Sequence, residues 1–218
     1  MIIMAIADTH GHTAALAALS AHLAHADVVL LAGDLTQFGH ADEAARVMEA
    51  VRAANPNVLA VSGNCDYPDV TSYLAEEGIG LHATHAVRDG VAFLGVGGSL
   101  PCPGHTPNEF SEKELAAFLA EAAEGLTRDL PWVLVSHQPP RDTEVDRVRS
   151  GMHVGSRAVR DFIAEFEPLA CFTGHIHEAA GMDAIGPTRI VNPGPLRNGH
   201  YAYAEVSRTL SVLEIRGA

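Results

Sequence analysis

Seven side chains of the kinds that bind transition metals recur along this chain of 218 residues. They are Asp8, His10, Asp34, Asn64, His137, His175 and His177. Oxygen and nitrogen donors without a thiolate suit Mn, Fe or Zn better than Ca or Mg. The set is larger than one ion takes. Two ions about 3.5–4 Å apart, bridged by one carboxylate and one hydroxide, would use all of it and suit in-line attack on phosphorus.

Each of these residues closely follows an apolar run of the kind that forms a buried strand. The five runs cover residues 2–7, 28–32, 58–61, 132–135 and 170–173. Helical spacing of apolar residues separates them, as in Ala44, Val47, Met48 and Val51, so the pattern predicts an α/β fold. Because α/β proteins assemble their sites at the carboxyl ends of strands, we expect the seven side chains to meet at one edge.

Another apolar run, residues 91–96, ends in a glycine cluster that could suggest a dinucleotide-binding loop. Prolines 101, 103 and 107 follow where a phosphate-binding helix should begin, so we reject that interpretation. Tyr67-Pro68-Asp69 is typical of a turn. Residues 189–192, 201–206 and 210–215 predict strands of a C-terminal antiparallel meander.

The length and the 47% hydrophobic content predict one domain over residues 1–218. The first residues lack the basic region and cleavage site of a signal peptide, and no apolar stretch approaches membrane-spanning length. Cys65, Cys102 and Cys171 are odd in number and widely spaced, which argues against disulfides and a thiolate zinc site. We therefore expect a cytoplasmic protein with reduced thiols and no membrane partner.

The formal net charge of −13 limits the partners of this chain. A protein with a large negative charge repels polyanions, so extended nucleic acid is a poor candidate partner. A small phosphoester substrate remains compatible with the charge. A homo-oligomer stays open, because nothing in the sequence determines the oligomeric state.

Five short motifs, in their order and in their positions after strands, resemble those of the calcineurin-like metallophosphoesterases. The motifs are Asp8-x-His10, Gly33-Asp34, Gly63-Asn64-Cys65-Asp66, His137 and Gly174-His175-x-His177. Each motif is weak alone, whereas the set is specific. The resemblance implies a four-layer α/β/β/α sandwich, with two mixed β-sheets packed together, helices outside and the C-terminal strands completing the second sheet.

The resemblance also implies how two divalent transition-metal ions would be held. Asp8, His10 and His177 would bind one ion, and Asn64, His137 and His175 the other. Asp34 would bridge them. Mn is the first choice of metal, with Fe, Zn, Ni or Co as alternatives. The candidate catalytic residues are Asp34, Asn64, His137 and Asp66, the last of which would orient a ligand or its loop.

Cys65 departs from the commonest family pattern, in which a histidine follows the asparagine and assists the leaving group. A thiol has a reference pKa of about 8.5 and is a poorer hydrogen-bond donor than an imidazolium, so the leaving-group acid is in doubt. Small bacterial and archaeal members that look similar here lean towards phosphodiesters.

We therefore expect a hydrolase of small phosphodiesters, or of phosphomonoesters, in which a hydroxide bridging two ions attacks phosphorus. The alternatives are a non-catalytic scaffold of the same fold, against which the complete ligand set argues, and a nuclease, against which the acidic charge argues. Six further residues stand in loops that could rim the site, and the sequence assigns them no role. They are His12, His105, His153, His200, Arg141 and Arg197.

Overall fold

The computed structural model describes residues 1–127 and 129–217. Within these residues the strands are β1 (Ile2–Ile6), β2 (Val28–Ala32), β3 (Val58–Val61), β4 (Thr84–Arg88), β5 (Val91–Val96), β6 (Trp132–Ser136), β7 (Ala170–Thr173), β8 (Gly181–Ile185), β9 (Thr188–Asn192), β10 (His200–Val206) and β11 (Leu210–Gly217). The α-helices are α1 (Thr13–Ala18), α2 (Ser20–His25), α3 (Ala41–Arg52), α4 (Pro68–Glu76), α5 (Glu112–Ala123) and α6 (Arg157–Phe166). None of these described helices is long and apolar enough to cross a bilayer.

The strands form two mixed sheets. The first has the order β11-β10-β1-β2-β3, in which β1, β2 and β3 are parallel and the other two strands are antiparallel to their neighbours. The second has the order β4-β5-β6-β7-β9-β8, in which the four inner strands are parallel and the two edge strands antiparallel.

Side-chain alternation along the strands produces four layers. In β1, Ile3 and Ala5 pack into the core between the sheets, whereas Met4 and Ile6 pack against the outer helices. Helices α1 to α4 cover the first sheet, and α5 and α6 cover the second. Strands buried on both faces are apolar throughout, which is why the sequence shows continuous runs. The predicted α/β/β/α sandwich with two mixed sheets is confirmed.

Strand β1 joins the beginning of the chain to its far end. Ile2 pairs with Glu205 of β10 in antiparallel register. The amide of Leu196 donates to the carbonyl oxygens of Ala7 and Asp8, at 3.1 and 3.3 Å. The loop that follows β1 is therefore held in place by a segment almost at the other end of the sequence.

Three local predictions were wrong. Tyr67-Pro68-Asp69 is the start of α4, with Pro68 at the first helical position, where its missing N–H costs nothing. Strands β4 and β8 were not predicted, because both are edge strands with exposed residues. The C-terminal strands form two hairpins in different sheets, so that β8 and β9 complete the second sheet, whereas β10 and β11 extend the first.

Candidate metal centre

The seven predicted ligands lie together where the carboxyl ends of β1, β2, β3, β6 and β7 meet between the two sheets. Contacts across the sheets show this directly. The ring of His137, after β6, lies 3.5 Å from the carboxylate of Asp34, after β2. The amide of His175, after β7, donates to both carboxylate oxygens of Asp8, after β1, at 3.0 and 3.1 Å. Residues from both sheets thus build one site.

One half of the site brings together Asp8, His10, Asp34 and His177. One potential ligand atom from each lies within 4.8 Å of those of the other three. The Nε2 atoms of His10 and His177 face each other at 3.2 Å. His177 Nε2 is 3.4 Å from Oδ1 of Asp8, and His10 Nε2 is 3.7 Å from Oδ2 of Asp34.

The other half brings together Asn64, His137 and His175. His137 Nε2 lies 2.9 Å from Oδ1 of Asn64. The rings of His137 and His175 pack edge to face, with their centres 5.1 Å apart. Oδ1 of Asp34 faces His137 in this half, whereas Oδ2 faces His10 in the first. Asp34 therefore lies between two separate groups of donors.

Four of these residues have a left-handed backbone conformation, which L-amino acids with side chains rarely adopt. Their φ angles are 52° for Asp8, 46° for His10, 51° for Asp34 and 69° for His175. Such conformations cost of order 1–3 kcal/mol each and persist where the surrounding structure holds them. Their concentration at the strand ends is typical of a functional site.

Glycines beside the ligands leave room that a side chain would fill. A Cβ on Gly33 would overlap the ring of His137, and one on Gly63 would overlap the carboxylate of Asp34. A Cβ on Gly174 would stand 2.8 Å from Oδ2 of Asp8. The glycines of these motifs thus allow ligand side chains from neighbouring strands to approach the backbone closely.

The charges of the site suit cations. Asp8 and Asp34 are buried, and within residues 1–127 and 129–217 their ion-pair contacts are to histidines, with none to Lys or Arg. Burial opposes ionisation of Asp8, yet its hydrogen bond to His177 and the nearby charges of His137 and His10 together lower its pKa. Two buried carboxylates with converging imidazoles fit the donor set of a divalent transition metal.

Two of the four histidines, His10 and His175, are held in the protonation state that metal binding requires. Burial, helped by the charge of His137, lowers the pKa of His175 to about 4. Burial also lowers the pKa of His10. The hydrogen bond to Asp8 instead raises the pKa of His177. His10 and His175 are therefore neutral at neutral pH, and neutral imidazole is the form that binds a metal.

Asp66 lies beside the site and holds two of its loops together. Its carboxylate is fully buried and accepts hydrogen bonds from the amides of Gly63, Leu35 and Thr36, at 2.7, 3.1 and 2.8 Å, and from the hydroxyl of Thr36 at 2.8 Å. Burial and the charge of Asp34 raise its pKa to about 6. These bonds connect the loop after β3 with the loop after β2, which carries Asp34.

Two cysteines lie against the ligands. The amide of Cys65 donates to Oδ1 of Asp34 at 2.8 Å. Burial and the charge of Asp34 raise the pKa of the Cys65 thiol. Cys102 Sγ lies 3.7 Å from Nε2 of His175. Sequence reasoning missed Cys102, and no signal could have found it, because it stands in a proline-rich loop outside the motifs.

The six loop residues without an assigned role are scattered. His153 binds the buried carboxylate of Asp146 at 2.6 Å, and Arg141 lies 3.7 Å from Asp142. Arg197 is close enough to His177 for its charge to oppose protonation of that ring. His12, His105 and His200 are exposed. The charge of Arg197 thus acts on a predicted ligand, His177.

A cavity of about 370 Å³ opens beside His10, between α1 and α3. Thr13, Gln37 and Arg46 contribute polar groups to its lining. It offers space for a small solute next to the first half of the site.

Comparison with known proteins gives the family. The model of the calcineurin-like phosphoesterase superfamily domain matches residues 1–216. The chain belongs to this superfamily. A protein of Methanocaldococcus jannaschii is 34% identical over 220 residues, which cover 98% of this chain and 96% of that protein. Membership supports a phosphoesterase that uses divalent metal ions, in agreement with the donor set.

Solved structures share the fold of this phosphoesterase. A protein of Thermus thermophilus superposes with a TM-score of 0.76 at 21% identity, covering 99% of this chain and 98% of that one. A purple acid phosphatase from yellow lupin seeds superposes with a TM-score of 0.66 at 12% identity, covering 100% of this chain and 51% of that one. At these identities the likeness shows the fold alone.

Proposed function

We propose that this phosphoesterase hydrolyses small phosphodiesters, and phosphomonoesters more slowly, at a centre of two divalent transition-metal ions. The observation that carries the proposal is the position of Asp34. Its Oδ2 lies 3.7 Å from His10 and its Oδ1 lies 3.5 Å from His137. One carboxylate thus faces both groups of donors, so Asp34 is the residue that would help to hold both ions.

The donors divide between the ions according to their contacts. Asp8, His10 and His177 lie on the Oδ2 side of Asp34 and would hold the first ion. Asn64, His137 and His175 lie on the other side and would hold the second. Mn is the first choice for both positions, followed by Fe, Zn, Ni and Co, because carboxylate, amide and imidazole donors suit these metals.

The bound ions would supply Lewis acidity to the phosphoryl oxygens and acidify a water molecule between them. The chain itself fixes the geometry. Oδ1 of Asn64 and Nε2 of His137 stand 2.9 Å apart, close enough to serve one ion, and the amide of His175 holds Asp8 in one orientation. Asp66 is a positioning residue in this proposal, since it ties the loop of Asp34 to the loop of Asn64.

One feature supports diesters with good leaving groups. Cys65 stands where a proton donor to the leaving group is expected. Its thiol is buried and has a raised pKa, so it is a poor acid for this purpose. Substrates whose leaving groups depart without protonation should therefore react best.

The test is a screen of metal-reconstituted protein against cyclic nucleotides, nucleotide diesters, lipid-derived diesters and phosphomonoesters. We expect turnover of at least one diester class, its loss on chelation and its recovery with Mn²⁺. Metal analysis should show close to two ions per chain at full activity. A fully active protein with one ion at saturation would contradict the two-ion centre, and metal-loaded protein inactive on every class would favour the scaffold alternative.

A further inference from the structure

The histidines of the site are oriented by partners on their far sides. Nδ1 of His137 lies 2.9 Å from the carbonyl oxygen of Ala32, and Nδ1 of His10 lies 3.3 Å from that of Thr36. A carbonyl can only accept, so each Nδ1 donates a hydrogen bond. The Nε2 atom of each ring faces the centre, that of His10 at 3.2 Å from Nε2 of His177 and that of His137 at 2.9 Å from Oδ1 of Asn64.

His175 makes the corresponding contact through its other nitrogen. Its Nε2 lies 3.7 Å from Sγ of Cys102. The thiol is itself held in place, because Sγ is 3.4 Å from the carbonyl oxygen of Leu100, to which it donates, and 3.4 Å from the hydroxyl of Ser99. The amide of Cys102 donates to Glu109 at 3.1 Å, which fixes the loop at this point.

The direction of the hydrogen bond follows from these contacts. The S–H proton is directed at the carbonyl of Leu100, so a sulfur lone pair is left to face the ring of His175. A lone pair accepts a hydrogen bond, which favours the tautomer of His175 with its proton on Nε2. In that tautomer Nδ1 has no proton and is the atom available to a metal.

We propose that Cys102 is a positioning residue for the second ion. Its thiol sulfur accepts a hydrogen bond from Nε2–H of His175, which leaves Nδ1 of His175 as the ligand atom. This inference rests on the proposed two-ion centre. Sulfur is a weaker acceptor than the backbone carbonyls that serve His10 and His137, so it makes the His175 ring a weaker donor to metal. The second ion should therefore bind less tightly than the first.

The experiment compares Cys102→Ala, Cys102→Ser and Gly104→Ala with the unmodified full chain. Gly104→Ala is the control in the same loop, because a Cβ there meets nothing within 4 Å. Stepwise affinities for Mn²⁺ and Zn²⁺ are measured by competition with a chromophoric chelator. We expect Cys102→Ala to weaken the second binding step by about 10–100-fold and leave the first unchanged. Cys102→Ser, which keeps an acceptor, should lose less, and Gly104→Ala should lose nothing.

A second measurement does not depend on metal. Nitrogen NMR of ¹⁵N-histidine-labelled, metal-free protein should show His175 as the Nε2–H tautomer, and Cys102→Ala should lose this preference. If one ion alone binds to the unmodified protein, the two-ion proposal fails while this measurement still tests Cys102. The inference is overturned by unchanged affinities in Cys102→Ala, by a proton on Nδ1 of His175, or by a sulfur-to-cobalt charge-transfer band in the cobalt-loaded protein, which would make sulfur a ligand.

Discussion

Gly63 lies against the carboxylate of Asp34 so closely that no side chain fits between them. The amide of Cys65, two residues further on, donates to the same carboxylate at 2.8 Å. The loop after β3 thus packs directly against the residue that we propose as the bridge between two ions.

The Gly63→Ala variant tests this contact. The added methyl group should displace Asp34 and lower kcat/KM by about 10²-fold or more, as expected for a displacement near 1 Å at a catalytic group. Bound metal per chain should fall as well. Gly104→Ala is the control, since a Cβ there meets nothing within 4 Å. Normal turnover and metal content in Gly63→Ala would show that Asp34 can move without consequence.

The Asp34→Asn variant tests the bridge itself. Removing negative charge from between two cations should lower turnover by several orders of magnitude and release at least one ion. Turnover and metal content are measured on the same samples. His25→Gln, an exposed position at the end of α2, serves as the control. Near-normal turnover with both ions bound would refute the role of Asp34.

The leaving-group dependence tests the position of Cys65. Without a strong acid, the rate should fall steeply as the pKa of the leaving group rises, so aryl diesters should react much faster than alkyl diesters. Cys65→His should flatten this dependence and raise rates for poor leaving groups by up to about 10²–10⁴-fold. The measurement is log rate against leaving-group pKa for both proteins with full metal content. Equal slopes would mean that Cys65 does not replace an acid.

The pH dependence of stability tests His82, which lies away from the proposed ligands. Its ring packs against Phe110 and Phe118, and Nδ1 accepts the amide hydrogen of Gly97 at 3.0 Å. Burial lowers the pKa of His82 in the folded protein. Below about pH 6.5 this ring is therefore protonated more readily in the unfolded chain than in the folded protein. Stability should therefore fall as the pH drops below that value.

Urea unfolding of the chelated protein at several pH values measures this effect. His82→Gln has no titrating ring, so its free energy of unfolding should fall less between about pH 7 and about pH 5. His25→Gln should follow the unmodified protein. Parallel curves for His82→Gln and the unmodified protein would mean that protonation of His82 does not oppose folding.

The sequence predicts the sandwich, and the convergence of the seven candidate ligands at one edge, because both depend on short-range patterns. Strands such as β2 are buried on both faces and carry continuous apolar runs, and each ligand stands directly after such a run. Edge strands such as β4 bury few side chains, so their sequences lack the apolar run that identifies a buried strand. The sheet to which β10 belongs depends on its pairing with β1, a contact that no local pattern encodes.

The contact of Cys102 with His175 could not be predicted for a related reason. It joins a loop after β5 to the strand end of β7, and a proline-rich loop has no periodicity that fixes its path. The sequence predicts that Asp66 orients a ligand or its loop, but its four hydrogen-bond donors come from two loops whose separation only the folded chain defines.

The hydrogen bonds from the amide of Leu196 to the carbonyl oxygens of Ala7 and Asp8 have a consequence for biosynthesis. The ribosome releases β1 long before Leu196 and β10, which secure the backbone around Asp8. Until then the first sheet lacks β10 beside β1, and contacts between such distant segments form slowly. The nascent chain should therefore acquire its full affinity for metal only after Leu196 and β10 have emerged, so the ions should be loaded late in the synthesis of this fold.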